Sequence, residues 1–141
     1  MSDPSPDPSP LLAMRAGLIA RFCTDAVLLT LLGGARLYDE PPAGAVPVYA
    51  LFGDAEIRDD SVDGAERHLH SHEIAVVARP GSVRTALDAA ERMAALLAEP
   101  AMPLQGCHLV TLRVRALKAS RDARTGEARA TLTVEAVTEL S

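Results

Sequence analysis

Apolar residues recur along the chain with two different periods. In "SPLLAMRAGLIARFC", Leu11, Met14, Leu18 and Phe22 stand three to four apart, which places them on one face of a helix. Ser9 suits the N-cap of that helix and Pro10 its first position, where a missing N–H costs nothing. "TDAVLLTLLGG" predicts a second, short helix, with Asp25 near its start and Gly33-Gly34 as its stop. "GSVRTALDAAERMAALLAEP" carries the clearest helical pattern. Ser82 is its expected cap, Val83, Leu87, Ala90, Ala94 and Leu97 form one face, and Pro100 closes it.

Elsewhere the period is two. In "HLVTLRVRAL", Val110, Leu112, Val114 and Ala116 point one way while Thr111, Arg113 and Arg115 point the other. In "ARATLTVEAV", Ala130, Leu132, Val134 and Ala136 alternate with Arg129, Thr131, Thr133 and Glu135. Such alternation marks strands with one buried and one wet face, as in an antiparallel sheet. The charged connector "SRDARTGE", with Gly126, predicts a hairpin between these two strands. Two earlier strands are expected in "VPVYALFG", with Pro47 at its edge, and in "HLHSHEIAVVAR". Between them, the acidic "DAEIRDDSVDGAER" reads as a solvated loop or as the tip of a long hairpin. Pro41, Pro42, Gly44 and Pro47 exclude a long regular element before the first strand.

The order is α-α-β-β-α-β-β. It predicts an α+β fold: a single antiparallel sheet of about four strands with helices packed on one face. One domain spans residues 10–141. Residues 1–9 alternate Pro with Ser and Asp and are expected to form a flexible arm.

Composition narrows the function classes. Aromatics are 3% of the 141 residues and Trp is absent, so Leu, Val and Ala must fill the core. A net charge of −5 argues against an unaided nucleic-acid binder. Cys23 and Cys107 read as separate reduced thiols rather than a disulfide framework. The N-terminus lacks the basic and apolar regions of a signal peptide, and no segment reaches the roughly 20 apolar residues of a membrane span. The expectation is a soluble protein used without secretion.

Candidate chemistry is sparse. The chain has no nucleophile elbow and no Gly-rich phosphate loop. Asp54, Glu56, Asp59, Asp60, Asp63 and Glu66 are dense, but their spacing does not match an EF-hand. His68, His70 and His72 share one strand face. By strand rise the outer two lie about 13 Å apart, so one ion cannot take all three from a straight strand. A metal site would need two of them with His108 or a loop carboxylate. The alternative reading places the histidines at the sheet margin, hydrogen-bonded or solvated. Arg113, Arg115 and Arg129 lie on polar strand faces. They either pair across the hairpin with Glu135 or Glu127, or meet another subunit.

Three stretches together carry a resemblance. "LLTLLGGARLYDEPPAGAVPVYALFGDAE" joins a helix ending in Leu-Leu-Gly-Gly to Arg-x-Tyr-Asp, two prolines and a Pro-x-Tyr strand. "HLHSHEIAVVARPGSVRTALDAAERMAALL" runs from the histidine strand through a small turn into an Ala-rich helix. "PLQGCHLVTLRVRALKASRDARTGEARATLTVEAVTE" holds a Gly-containing strand start, an Arg-Asp hairpin and a final strand ending near Thr-Glu. In order and spacing, from Leu11 to Glu139, the chain resembles the tail completion, or tail terminator, proteins of tailed bacteriophages and of phage-derived particles such as gene transfer agents.

The resemblance implies a non-enzymatic structural protein that needs no cofactor. It implies a ring, usually of six subunits, at the head-proximal end of the tail tube. That ring stops tube polymerisation and joins the head connector, with DNA passing through the lumen without specific binding. The implied partners are further copies of the chain, the major tail tube protein and a neck protein, with no membrane. Such a protein is made in the bacterial cytoplasm and ends in the assembled particle. In a ring, Arg113, Arg115, Arg121, Arg124 and Arg129, with Asp59, Asp60 and Asp63, are the expected subunit or tube contacts. The competing readings are another head-completion or neck component, a metal-binding protein using His68, His70, His72 and His108, and a small-ligand module working as a dimer.

Overall fold

The computed structural model describes residues 9–99 and 101–140. Of the expected arm only Ser9 falls among them, and the proposed stop at Pro100 lies outside the described residues.

Helix α1 spans Pro10–Cys23, and Ser9 caps it, its Oγ accepting the Leu12 N–H at 3.1 Å. Its inward face is Ala13, Met14, Gly17, Leu18 and Phe22, with Leu11 only half-buried. Helix α2 spans Ala26–Leu32. Asp25 caps it by accepting the Leu28 N–H at 2.9 Å. Gly33 ends it in the left-handed conformation (φ 75°), and the Gly34 N–H returns to the Leu29 carbonyl.

The remaining elements are β1 (Leu37–Tyr38), β2 (Tyr49–Asp59), β3 (Arg67–Ala78), α3 (Val83–Leu96), β4 (Cys107–Arg121) and β5 (Ala128–Leu140). They form one sheet of spatial order β1-β2-β3-β5-β4. Every pairing is antiparallel except β1 with β2, which is parallel. The sheet is therefore five-stranded and mixed, not four-stranded and purely antiparallel. The extra strand is two residues long, too short to show any period in the sequence.

Strand β2 continues to Asp59, six residues beyond the expected end at Gly53. Asp54–Asp59 is strand rather than loop, and the long-hairpin reading is the right one. Register slips between Phe52 and Ala55, so a bulge interrupts the alternation that would have marked this part as strand. The tip is closed by a Val62–Ala65 bridge around Gly64, at φ 74°.

Strand β4 carries two irregularities, between Leu109 and Thr111 and between Val114 and Ala116. Each inserted residue reverses the faces of the residues after it. Leu109, Leu112 and Val114 therefore pack on the core. Val110 is exposed, and so is Ala116, against the expected apolar face.

All three helices cover one face of the sheet. Met14, Leu18, Phe22, Leu28 and Leu32 meet Ile74, Val76, Leu132, Val134 and Ala136 in one core. Helix α3 lies on β3 and β5 through Ala86, Ala89, Ala90 and Met93, opposite Ala78, Ala128 and Ala130. Small residues on both sides let it approach closely, which is how a chain nearly without aromatics reaches close packing. The buried stripe is turned from the expected one. Leu87 and Ala94 are half-buried, Val83 is exposed, and Ser82 makes no side-chain cap bond.

Polar contacts fix the helices to one another. Arg92 of α3 grips Asp25 with two bonds of 2.8 and 2.7 Å. Arg21 of α1 donates to the carbonyls of Leu96 (3.0 Å), Glu99 (2.5 Å) and Ala101, holding the segment that leads into β4. Gly17 lets that segment lie against α1: a Cβ there would stand 2.6 Å from Leu104 Cδ2.

Candidate functional site

Two features stand out above the fold: the polar strip through the core at β3, and the charged edges of the sheet.

Two of the histidines are not at a margin. His70 and His72 are 0% and 1% exposed, on the helix-covered face. Their rings stack with centroids 5.6 Å apart and planes 16° apart. His72 Nε2 lies 3.4 Å from His70 Nδ1, and His70 Nε2 lies 2.9 Å from Thr138 Oγ1. His72 Nδ1 is buried without a partner. The tautomers that fit make both Nε2 atoms donors, His72 to His70 and His70 to Thr138. The one orphaned atom is then an acceptor, which is less costly than an orphaned N–H. Both imidazoles are held neutral, with pKa lowered to about 4. For His70 the cause is burial, then the charges of His72 and His68; for His72 it is burial, then Arg15 of α1.

Next in this strip, Cys107 is buried and its thiol pKa is raised by burial. Neither cysteine is in a disulfide. His68, at the outer end of β3, lines an open cleft of ≈ 340 Å³ with Ser9, Pro10, Gln105, Gly106, Cys107 and Leu140. His108 lies on the opposite face of the sheet, where Nε2 sits 3.5 Å from Glu139 Oε2 and the side chain is 60% exposed. The four histidines are therefore split between two faces. Among the described residues no three His, Cys, Asp or Glu side chains converge as metal ligands.

The uncovered face of the sheet holds the predicted charges. Arg113 and Arg115 both bind Glu135, at 3.0 and 3.2 Å. The cross-strand pairing expected for these two arginines is present, with one carboxylate shared between two guanidiniums. Arg121 ends β4. Arg124 sits in the hairpin turn, where Asp122 Oδ1 accepts the Arg124 and Thr125 N–H groups at 2.8 and 2.9 Å. These bonds hold the Asp122 carboxyl below the usual carboxylate range. Arg129, on β5, is half-buried with its Nε unpartnered. Lys118, Arg121 and Arg124 have no acidic partner within 4 Å among the described residues.

At the far edge, Asp59 Oδ1 accepts the Ser61 N–H at 3.0 Å and the Ser61 hydroxyl at 2.5 Å, bonds that lower its pKa. Asp60 and Asp63 are exposed in the tip. Arg121 and Arg124 lie at one end of the strands, and Asp59, Asp60 and Asp63 at the other, so the predicted contact residues do not form one patch. Sequence reasoning leaves Asp54, Glu56 and Lys118 out of that set. They become visible only once Asp54–Asp59 is known to be strand and β4 to be an edge. Among the described residues, no helix is long and apolar enough to cross a membrane.

The Tail completion protein gp17 family model matches residues 16–139. The chain belongs to this family. It is a structural protein of phage-type tails. The fold also matches a chain of a structure titled "Virion of native gene transfer agent (GTA) particle", with TM-score 0.84 and 26% identity, covering 94% of this chain and 99% of that one. No curated protein matches. The tail completion protein thus has the family that its Leu-Leu-Gly-Gly, histidine-strand and Arg-Asp-hairpin stretches resemble.

Proposed function

We propose that this tail completion protein is the subunit of a ring, of six copies by family resemblance, that closes the head-proximal end of a tail tube and joins it to the neck. The family match across nearly the whole domain is the observation that carries the reading. The fold supports it in kind: a sheet with one uncovered, charged face and two charged hairpins offers contact surface on several sides. Arg113, Arg115, Arg121, Arg124 and Arg129, with Asp59, Asp60 and Asp63, are assigned to subunit or tube contacts. The acidic tip repels DNA crossing the lumen, so that nothing sticks during passage. The ring forms in the cytoplasm and remains at the tail–head junction.

Polymerising purified tail tube protein with and without this chain tests the proposal. Electron micrographs should show tubes of limited length, each with added density at one end. Tubes of the same length distribution in both samples, with bare ends, contradict it.

A further inference from the structure

The two edges of the sheet are both open and oppositely charged. On one side, no backbone hydrogen bond joins the outer edge of β4 to any other described segment, and the strand is fifteen residues long. On the other side, β1 covers only Ala50 and Leu51 of β2. From Gly53 to Asp59 the outer edge of β2 is equally free among the described residues. A long open edge with exposed apolar residues, here Val110 and Leu117, is a template for another strand.

Charge says which strand. On the uncovered face one transverse row reads Glu56, Ser71, Glu135, Arg113, each opposite the next. It starts at the β2 edge with Glu56, which Arg58 of the same strand already pairs, and ends basic at the β4 edge; the unpaired acid beside Glu56 is Asp54. Arg113 and Arg115 share one carboxylate, and Lys118 has none, so the β4 edge keeps surplus positive charge. Asp54 and Asp59 have no basic partner within 4 Å among the described residues, so the β2 edge keeps surplus negative charge.

We propose that β4 of one copy adds antiparallel to Gly53–Asp59 of β2 in the next copy, joining the sheets head to tail. This rests on the ring reading and names the contact that builds the ring. Pairings β2–β3, β3–β5 and β5–β4 are all antiparallel, so β4 runs opposite to β2. A neighbour with the same orientation therefore presents β2 antiparallel to β4, and the ladder continues without inverting a subunit. At the level of the shared row, Arg113 then meets Glu56 of the next copy, with Arg115 near its Asp54. Such a contact joins two different surfaces, and repeated by rotation it closes a ring. The two-fold alternative, β4 on β4, sets Arg113, Arg115 and Lys118 against their own copies, and like charges opposite one another repel.

Two variants test the pairing. Arg113→Glu/Arg115→Glu makes both edges acidic; Asp54→Lys/Glu56→Lys makes both basic. Thermal melts first confirm that each is folded. By native mass spectrometry, each alone should assemble at least about tenfold more weakly than the parent. An equimolar mixture should recover parent-like rings with the two variants in equal number. Parent-like assembly of either variant alone, or no recovery on mixing, overturns the edge pairing while leaving a parental ring intact. A parent that makes no ring, alone or with tube protein, removes the ring reading and this contact with it.

Discussion

His70 and His72 carry polarity through the middle of an otherwise apolar layer, and their protonation is coupled to folding. The unfolded chain takes up protons at these imidazoles below about pH 6.5, whereas the folded chain resists until about pH 4. More protons on the unfolded state in that window means that stability is complete above about 6.5 and is lost as pH falls toward 4. The loss amounts to at most about 3 kcal/mol per histidine. Burial sets it first, followed by the charges of Arg15 from α1, of His68 on the same strand and of His72 on His70. The expected result is a melting temperature that drops steeply between pH 6.5 and 4 in the parent and much less in His70→Leu/His72→Leu. Equal slopes in the two proteins would show that the pair stays hydrated. The strand and the shared face of the histidines are legible from their spacing alone. Their burial is not, because the sequence does not reveal that α1 reaches far enough to cover the outer half of β3. Residues such as Met14, Leu18 and Phe22 are legible because helix period and burial coincide there. Leu18→Ala should cost about 3 kcal/mol in denaturant unfolding, since no neighbouring helix is free to collapse into the space.

Between elements, a few polar ties add to the apolar core. Asp25 does two jobs, capping α2 and receiving the Arg92 fork, and together these hold its carboxyl down at about 2. Asp25→Ala should therefore lower the melting temperature clearly more than Asp39→Ala, which removes only an exposed pair with Arg15. Similar losses from both would show that the cap and fork add nothing beyond a surface ion pair. Arg21→Ala unties three carbonyls from α1 and should cost about 2 kcal/mol. It should also speed hydrogen exchange across residues 101–106 more than elsewhere; uniform acceleration would argue against a local clamp. The order of the elements other than β1, and the final hairpin, can be read from periodicity, since β5 alternates without interruption from Ala128 to Thr138. The second half of β2 and the faces of β4 cannot. A bulge breaks the period-two signal at the place where it would be counted, and charged residues on an edge strand look like loop.

At the scale of the molecule, one face of the sheet is sealed by helices and the other is uncovered. Its charges are arranged by edge, positive on β4 and negative on β2, with an overall acidic balance. Assembly through such edges should weaken as salt rises from 0.05 to 0.5 M, roughly as the Debye length shrinks from about 14 to 4 Å. Insensitivity to salt would mean that apolar contacts alone join the copies. Neutralising Asp60 and Asp63 to Asn should increase retention of DNA by assembled rings, read by filter binding; unchanged retention would remove the tip from the lumen. The family is legible at this scale because it lies in the order of several weak stretches. The proposed edge pairing is not, because edges exist only after strands have been placed in space.

Native mass spectrometry of the untagged protein, alone and with tail tube protein, with and without a chelator, bears most directly on the ring. A closed ring of one stoichiometry is expected in at least one of these samples, unchanged by the chelator. A monomer in every sample would overturn the ring reading; a stoichiometric metal ion whose removal abolishes assembly would overturn its independence of metal.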